Sequence, residues 1–310
     1  MNALLIGCGN IGALYDFQKE GIKTHCKALS RLKGISVSIY DIDKELAKNV
    51  SEEYGFACIV KEDDICPADY QWVAIASPTN THLSWLKKCI DAKVQLLICE
   101  KPVAKTASEL SESEALYKNS DTKIVVNYFR RFQPVYLQLK DEISWEKDKP
   151  SQVIIKYQRG IVNNFSHAAD LLDLLFGEHV FDKINITRSV FDEFDDDPTL
   201  SFTAEYNGIP VYATGLANVR YSFFEIEIFF RDKKISILDG GNKIIYAKAP
   251  QADRYYQPLK ADDVRNKENL LTEHMMFVYE HVQKVYNSEE QDNFISSVRM
   301  NQQILRIIQQ

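Results

Sequence analysis

Gly7, Gly9 and Gly12 stand as G-x-G-x-x-G directly after the apolar run at residues 3–6. Behind a strand, the first glycine permits a tight turn. The second lets the backbone approach a pyrophosphate, and the third allows close helix packing. Backbone N–H groups at the helix start, around Asn10 and Ile11, can then hold phosphate oxygens. Asp41, in SIYDID, falls at the end of the next expected strand. A carboxylate there accepts hydrogen bonds from both ribose hydroxyls and repels a 2′-phosphate, which favours NAD over NADP. The same residue could cap the following helix; Asp43 lies two residues beyond. Lys101 ends the run VQLLICEKP. An apolar run of this kind suits a strand buried on both faces, and Pro102 stops it abruptly. That leaves Glu100 and Lys101 at its carboxyl end, the edge of an open α/β sheet where ligands bind. A solvated loop lysine fits this segment equally well.

The elements around these residues alternate. Strands are expected at 3–6, 36–40, 57–60, 72–76, 94–99 and 123–127. Helices are expected at 25–32, 43–53, 82–92 and 108–118. This implies a parallel, doubly wound sheet over residues 1–127. From 128 to 310 the pattern changes to strands at 152–158, 183–188, 200–206, 211–215, 225–230, 234–238 and 243–246, joined by tight turns. One helix, at 166–176, interrupts them, and helices at 267–286 and 292–308 close the chain. The expected fold class is therefore α/β: a Rossmann domain followed by an α+β domain with a large, mostly antiparallel open sheet. Gly12 and Asp41 are further apart than the fingerprint's usual spacing. Residues 14–24 (LYDFQKEGIKT) are inserted before His25 and read as a loop beside the cofactor cleft.

The chain has 310 residues and a net charge of -7, which argues against nucleic acid as a partner. No apolar run approaches a membrane span, and the N-terminus lacks the pattern of a secretory signal. Six cysteines without a C-x-x-C pair read as reduced, mostly buried thiols of a cytoplasmic protein. His25, His179, His274 and His281 form no ligand constellation, so no metal is expected. The acidic run at 192–197 reads as a solvated turn. Arg130 or Arg131, at the domain junction with Asn127, could bind an anionic part of a substrate; an interdomain ion pair is the equal alternative.

Four landmarks stand in order: the glycine loop, Ser77-Pro78-Thr79-Asn80-Thr81-His82, Glu100-Lys101-Pro102, and NNFSHAAD from Asn163 to Asp170. Together they resemble the glucose–fructose oxidoreductase, inositol dehydrogenase and MocA family, more closely over residues 1–130 than beyond. The resemblance implies that Ser77, Pro78, Thr79 and Asn80 pass the cofactor's ribose and nicotinamide side. His82 would cap, pack or touch the cofactor. It implies that Glu100-Lys101-Pro102 puts Lys101 near the nicotinamide and the reacting substrate oxygen. His167 matches the catalytic histidine, with Asp170 on the same helix. Family members pair through the second sheet, which implies a homodimer or homotetramer. One departure stands out: Asn163 occupies a position that is often aspartate. An amide orients a hydroxyl or an imidazole but supplies no charge to an imidazolium.

These readings predict an NAD-dependent oxidoreductase acting on a sugar, polyol or sugar derivative, including nucleotide sugars. His167 would be the general acid/base and Lys101 the stabiliser of charge on oxygen. Asn127, Arg130, Arg131, Asn163 and Asp170 would contact substrate. Two other readings share the fold: a ligand-sensing regulator without turnover, and a reductase of the biliverdin type that would not need His167.

Overall fold

The computed structural model describes residues 1–147, 149–250 and 257–310. Six parallel strands form the first sheet: β1 Asn2–Ile6, β2 Ser36–Tyr40, β3 Ala57–Ile59, β4 Trp72–Ile75, β5 Leu96–Cys99 and β6 Lys123–Val126. Their order is β3-β2-β1-β4-β5-β6. All residues of β4 and β5 are buried, as expected of central strands covered on both faces. The crossovers carry helices α1 His25–Leu29, α2 Lys44–Tyr54, α3 His82–Asp91 and α4 Ala107–Lys118. The strand order reverses between β1 and β4. In a doubly wound sheet the ligand crevice opens there, at the carboxyl ends of the strands.

Helix α5 Pro134–Ser144 follows. The sequence expectation missed it, although Pro134 is its first residue, a favoured place for proline. The second sheet comprises β7 Gln152–Tyr157, β8 Phe181–Val190, β9 Thr199–Tyr206, β10 Ile209–Gly215, β11 Phe224–Phe229, β12 Lys233–Leu238, β13 Lys243–Lys248 and the short β14 Lys260–Ala261. Helix α6 Ser166–Phe176 lies between β7 and β8 in sequence. The order is β14-β13-β12-β11-β7-β10-β9-β8, antiparallel except for the β7–β10 pair. Burial alternates along β7, β10 and β11, so one face is core. Phe165 packs its ring against Tyr157, Phe181 and Phe202 on that face. The other face carries cross-strand ion pairs from Lys156 to Glu225 and Glu227.

The chain divides into two compact units, one of 1–133 with 272–302 and one of 134–271 with 303–310. The closing helices α7 His274–Tyr286 and α8 Phe294–Ile308 were expected in the second domain. Instead α7 and most of α8 belong to the first unit. The physical reason is core packing: Met275, Val278, Tyr279, Val282 and Val285 of α7 are buried in one cluster with Leu5, Trp72 and Leu96 of the first sheet, and His274 and His281 lie against Phe129 and Phe132 at 4.3 and 4.5 Å between ring centroids. Helix α7 also begins at His274, later than the expected 267.

Candidate active site

The glycine loop has the geometry its residues imply. Gly7 sits at φ +97°, and a Cβ there would meet the Ala76–Ser77 backbone at 2.7 Å. A Cβ on Gly12 would lie 2.2 Å from the Gly7 carbonyl oxygen. Gly9, by contrast, has nothing within 4 Å of where a Cβ would stand, which leaves its backbone open to a ligand. Among the described residues, the backbone N–H groups of Gly9, Asn10, Ile11 and Gly12 donate to no protein acceptor. Unsatisfied donors at a first helical turn suit the oxygens of a pyrophosphate. The residues present therefore fit a dinucleotide.

The irregular spacing has a specific cause. The N–H of His25 donates to the Ile11 carbonyl at 3.1 Å, and that of Cys26 to the Gly12 carbonyl at 2.9 Å. An α-helix spans four positions per bond, and these bonds span fourteen. The first turn and α1 are thus one helix interrupted by ten residues. Without those ten, Gly12 and Asp41 would be nineteen positions apart, close to the fingerprint's spacing of about 20. The buried Asp16 closes the neck of the insert. It accepts from the Thr24 hydroxyl at 2.7 Å and from the backbone N–H groups of Lys23 and Thr24. Thr24 in turn caps α1. The insert also pairs with the segment before α7, through Ile22 to the Thr272 carbonyl at 2.9 Å.

Asp41 is not a helix cap. Asp43 caps α2, accepting from Glu45 and Leu46. The Asp41 carboxylate accepts from the Cys8 N–H at 2.6 Å and the Asp43 N–H at 2.8 Å, tying the end of β2 to the glycine loop. Each oxygen keeps a lone pair for another donor. The loop after β4 is closed by Ser77 and Thr81, whose hydroxyls lie 2.7 Å apart, with Thr81 also bonded to the Pro78 carbonyl. Pro78 and Asn80 are exposed, and Thr79 lies in the same short turn. His82 is buried, with its ring nitrogens 2.9 Å from the Ser77 carbonyl and 3.0 Å from the Pro102 carbonyl. Burial pushes its pKa down, and those carbonyls oppose the shift. Its role in the structure is to join the two loops.

At the end of β5, Glu100 is buried and fully engaged. Its Oε1 accepts from His25 Nε2 at 3.0 Å and Asn127 Nδ2 at 2.6 Å, and its Oε2 accepts from the Lys101 N–H at 3.3 Å. Burial opposes its charge, but the hydrogen bond and charge of His25, aided by Asn127 and Lys101, hold its carboxyl below the ordinary value. His25 Nδ1 lies 2.9 Å from the Tyr279 hydroxyl. Burial, then the neighbouring Cys26 and Glu100, pushes that phenol well up, so its hydroxyl keeps its proton beside Nδ1. Sequence reasoning gave His25 no role, since its partners are 75 and 254 positions away. Asn127, expected on substrate, is buried; its Nδ2 donates to Glu100 at 2.6 Å, and its Oδ1 has no hydrogen-bond partner among the described residues. Lys101, joined to Pro102 by a cis peptide, is half-buried beside this network. Arg130 is buried with its guanidinium 4.5 Å from the Phe129 ring centroid, and Arg131 is half-buried. Cys8, Cys26, Cys89 and Cys99 are buried and Cys66 exposed; burial pushes the Cys8 and Cys89 thiols up to about 12.

In the second unit, residues 161–165 form one wide helical turn leading into α6. Asn163, His167 and Asp170 follow at i, i+4 and i+7, one helical face. Asn163 donates its amide to the Arg159 carbonyl at 3.1 Å. His167 is half-buried, edge-on to Phe224, and Asp170 is buried. Within the acidic run, Glu193, Asp195 and Asp196 are exposed, as expected of a solvated turn, but its last residue is not. Asp197 is buried and accepts from the Val162 and Asn163 N–H groups at 2.8 and 2.7 Å, capping this turn. Burial pushes its carboxyl up, against those same hydrogen bonds. Gly160, at φ +81°, is required there, because a Cβ would lie 2.0 Å from the Asp197 carboxylate.

A doubly wound sheet with a glycine loop at its switch point defines a dinucleotide-binding Rossmann unit. Residues 1–128 match the GFO_IDH_MocA model, an oxidoreductase family with an NAD-binding Rossmann fold, and this part of the chain belongs to that family. It is related to inositol 2-dehydrogenases. That of Acidothermus cellulolyticus is 32% identical over 144 residues, 45% of this chain and 39% of that protein. The chain spans between 39% and 67% of the length of the first curated relatives it matches. Among solved structures, UDP-N-acetylglucosamine 3-dehydrogenase GnnA from Acidithiobacillus ferrooxidans has a TM-score of 0.79 at 16% identity, over 99% of this chain and 96% of that one. A super-repressor mutant of Gal80p from Saccharomyces cerevisiae has a TM-score of 0.77 at 11% identity, over 100% and 95%. These likenesses show a shared fold. Among the described residues, no helix is long and apolar enough to cross a membrane.

Proposed function

We propose that this protein transfers a hydride between NAD(H) and a carbinol or carbonyl carbon of a sugar, polyol or sugar derivative. The carrying observation is one sheet edge that holds both an open glycine loop tied to Asp41 and, at the end of β5, Lys101 beside a fixed carboxylate. The nicotinamide supplies the hydride chemistry when bound. Asp41 selects NAD by excluding a 2′-phosphate. Lys101 stabilises negative charge on the substrate oxygen, and His167 exchanges the proton that must move with the hydride. Asn163 orients a hydroxyl or the imidazole without adding charge. Inositol 2-dehydrogenases among the relatives and a nucleotide-sugar dehydrogenase among the structural neighbours support this substrate range.

The test is a panel of polyols, sugars and sugar nucleotides, followed at the nicotinamide absorbance band. Turnover of one class supports the proposal. Silence across the panel, with dinucleotide still bound, favours the second reading: a sensor without turnover. That reading rests on Asn163, an amide where an aspartate is common in the family, and on the likeness to Gal80p. We also propose, from the resemblance, pairing of subunits through the open second sheet.

A further inference from the structure

The second unit holds a cavity of about 370 Å³ lined by Gln158, Arg159, Asp192, Glu193, Asn218, Val219 and Arg220. It adjoins the turn that carries Asn163. The Arg159 carbonyl accepts the Asn163 amide, and the Gln158 carbonyl accepts the Asn164 amide. The wall is rich in acceptors. Gln158 is 4% exposed, and its Oε1 has no hydrogen-bond partner. A buried oxygen of that kind is costly to leave unmet and calls for a hydroxyl or N–H donor. Asp192 accepts from the Thr199 hydroxyl at 3.0 Å and the Asn218 N–H at 3.1 Å.

The cations are unequal. Arg159 is neutralised by Glu193, through two bonds of 2.6 and 2.7 Å. Arg220 has no carboxylate partner among the described residues and is exposed. A guanidinium with its fork unfilled matches a carboxylate or a phosphate in bidentate geometry. One unfilled cation beside several acceptors fits a ligand that has both an anionic group and several hydroxyls. The cavity is within the range of small-molecule sites.

We propose that this cavity is a subsite for a polyhydroxylated acid, a sugar carboxylate or sugar phosphate, with the acidic group on Arg220 and a hydroxyl on Gln158. The inference deepens the sugar-oxidoreductase reading and rests on it for the choice of a sugar.

Ligand-detected NMR and calorimetry on the full chain test it, with glucuronate, glucose 6-phosphate, glucose and inorganic phosphate as probes. The expected result is that glucuronate or glucose 6-phosphate binds at least about tenfold more tightly than glucose. Which of the two wins separates carboxylate from phosphate recognition. Arg220→Ala removes the preference while NADH still binds. Gln158→Leu weakens binding of every sugar probe; if that variant fails to fold, Arg220→Ala decides alone. Equal binding of glucose and the acids, no binding of either acid, or an unchanged preference in Arg220→Ala overturns the proposal. Failure to bind NADH would defeat the oxidoreductase reading but leave this result standing.

Discussion

His25 Nε2 lies 3.0 Å from Glu100 Oε1, joining the helix behind the glycine loop to the strand end that bears Lys101. The pair is buried, and removing one member of a buried pair strands the other. His25→Leu is therefore expected to cost about 3 kcal/mol in urea unfolding. His25→Gln, which keeps an N–H donor, should cost less. Equal losses in the two variants would mean that packing, not the hydrogen bond, holds Glu100.

The same pair sets an acid limit to stability. Glu100 has a folded pKa below its unfolded value, so it binds fewer protons when folded. Its contribution is present above the ordinary carboxylate value of about 4.3 and is lost as pH falls through the lower folded value. Glu100→Gln should therefore flatten part of the stability loss below about pH 4.3. An unchanged acid limb in urea titrations would show that other carboxylates dominate it.

Asp41 should govern the choice of dinucleotide. Fluorescence titration is expected to show NADH binding more tightly than NADPH. Asp41→Ser should narrow the gap by about tenfold or more, and should weaken both by freeing the Cys8 N–H. A native preference for NADPH would refute the assignment.

The insert makes a sharper prediction. Deleting residues 15–24 joins the first turn directly to α1, so the variant should fold and bind NADH. Asp16→Ala, which keeps the loop but unties its neck, should cost about 2 kcal/mol by thermal or urea unfolding. Loss of NADH binding in the deletion would show that the insert itself builds the cofactor site.

What was legible in the sequence was local. The glycine loop could be read because close backbone approaches at Gly7 and Gly12 dictate residue type at short range. The strands could be read because burial on two faces leaves an apolar run. Long-range pairings left no such mark. His25 looked idle because Glu100 and Tyr279 are distant in the chain, and ten inserted residues hid its place in the first helix. Asp197 looked solvated because its neighbours are acidic, yet it caps a turn 34 positions earlier. The placing of α7 in the first unit left no local mark, because its apolar face packs on Leu5, Trp72 and Leu96, about 180 to 280 positions earlier.

The most direct test of the central claim uses the substrate class found by the absorbance panel. Lys101→Ala and His167→Ala are each expected to lower kcat by about 100-fold or more, with NADH bound as tightly as before. Full turnover in His167→Ala would remove the proton-transfer role, and full turnover in both variants would contradict the account.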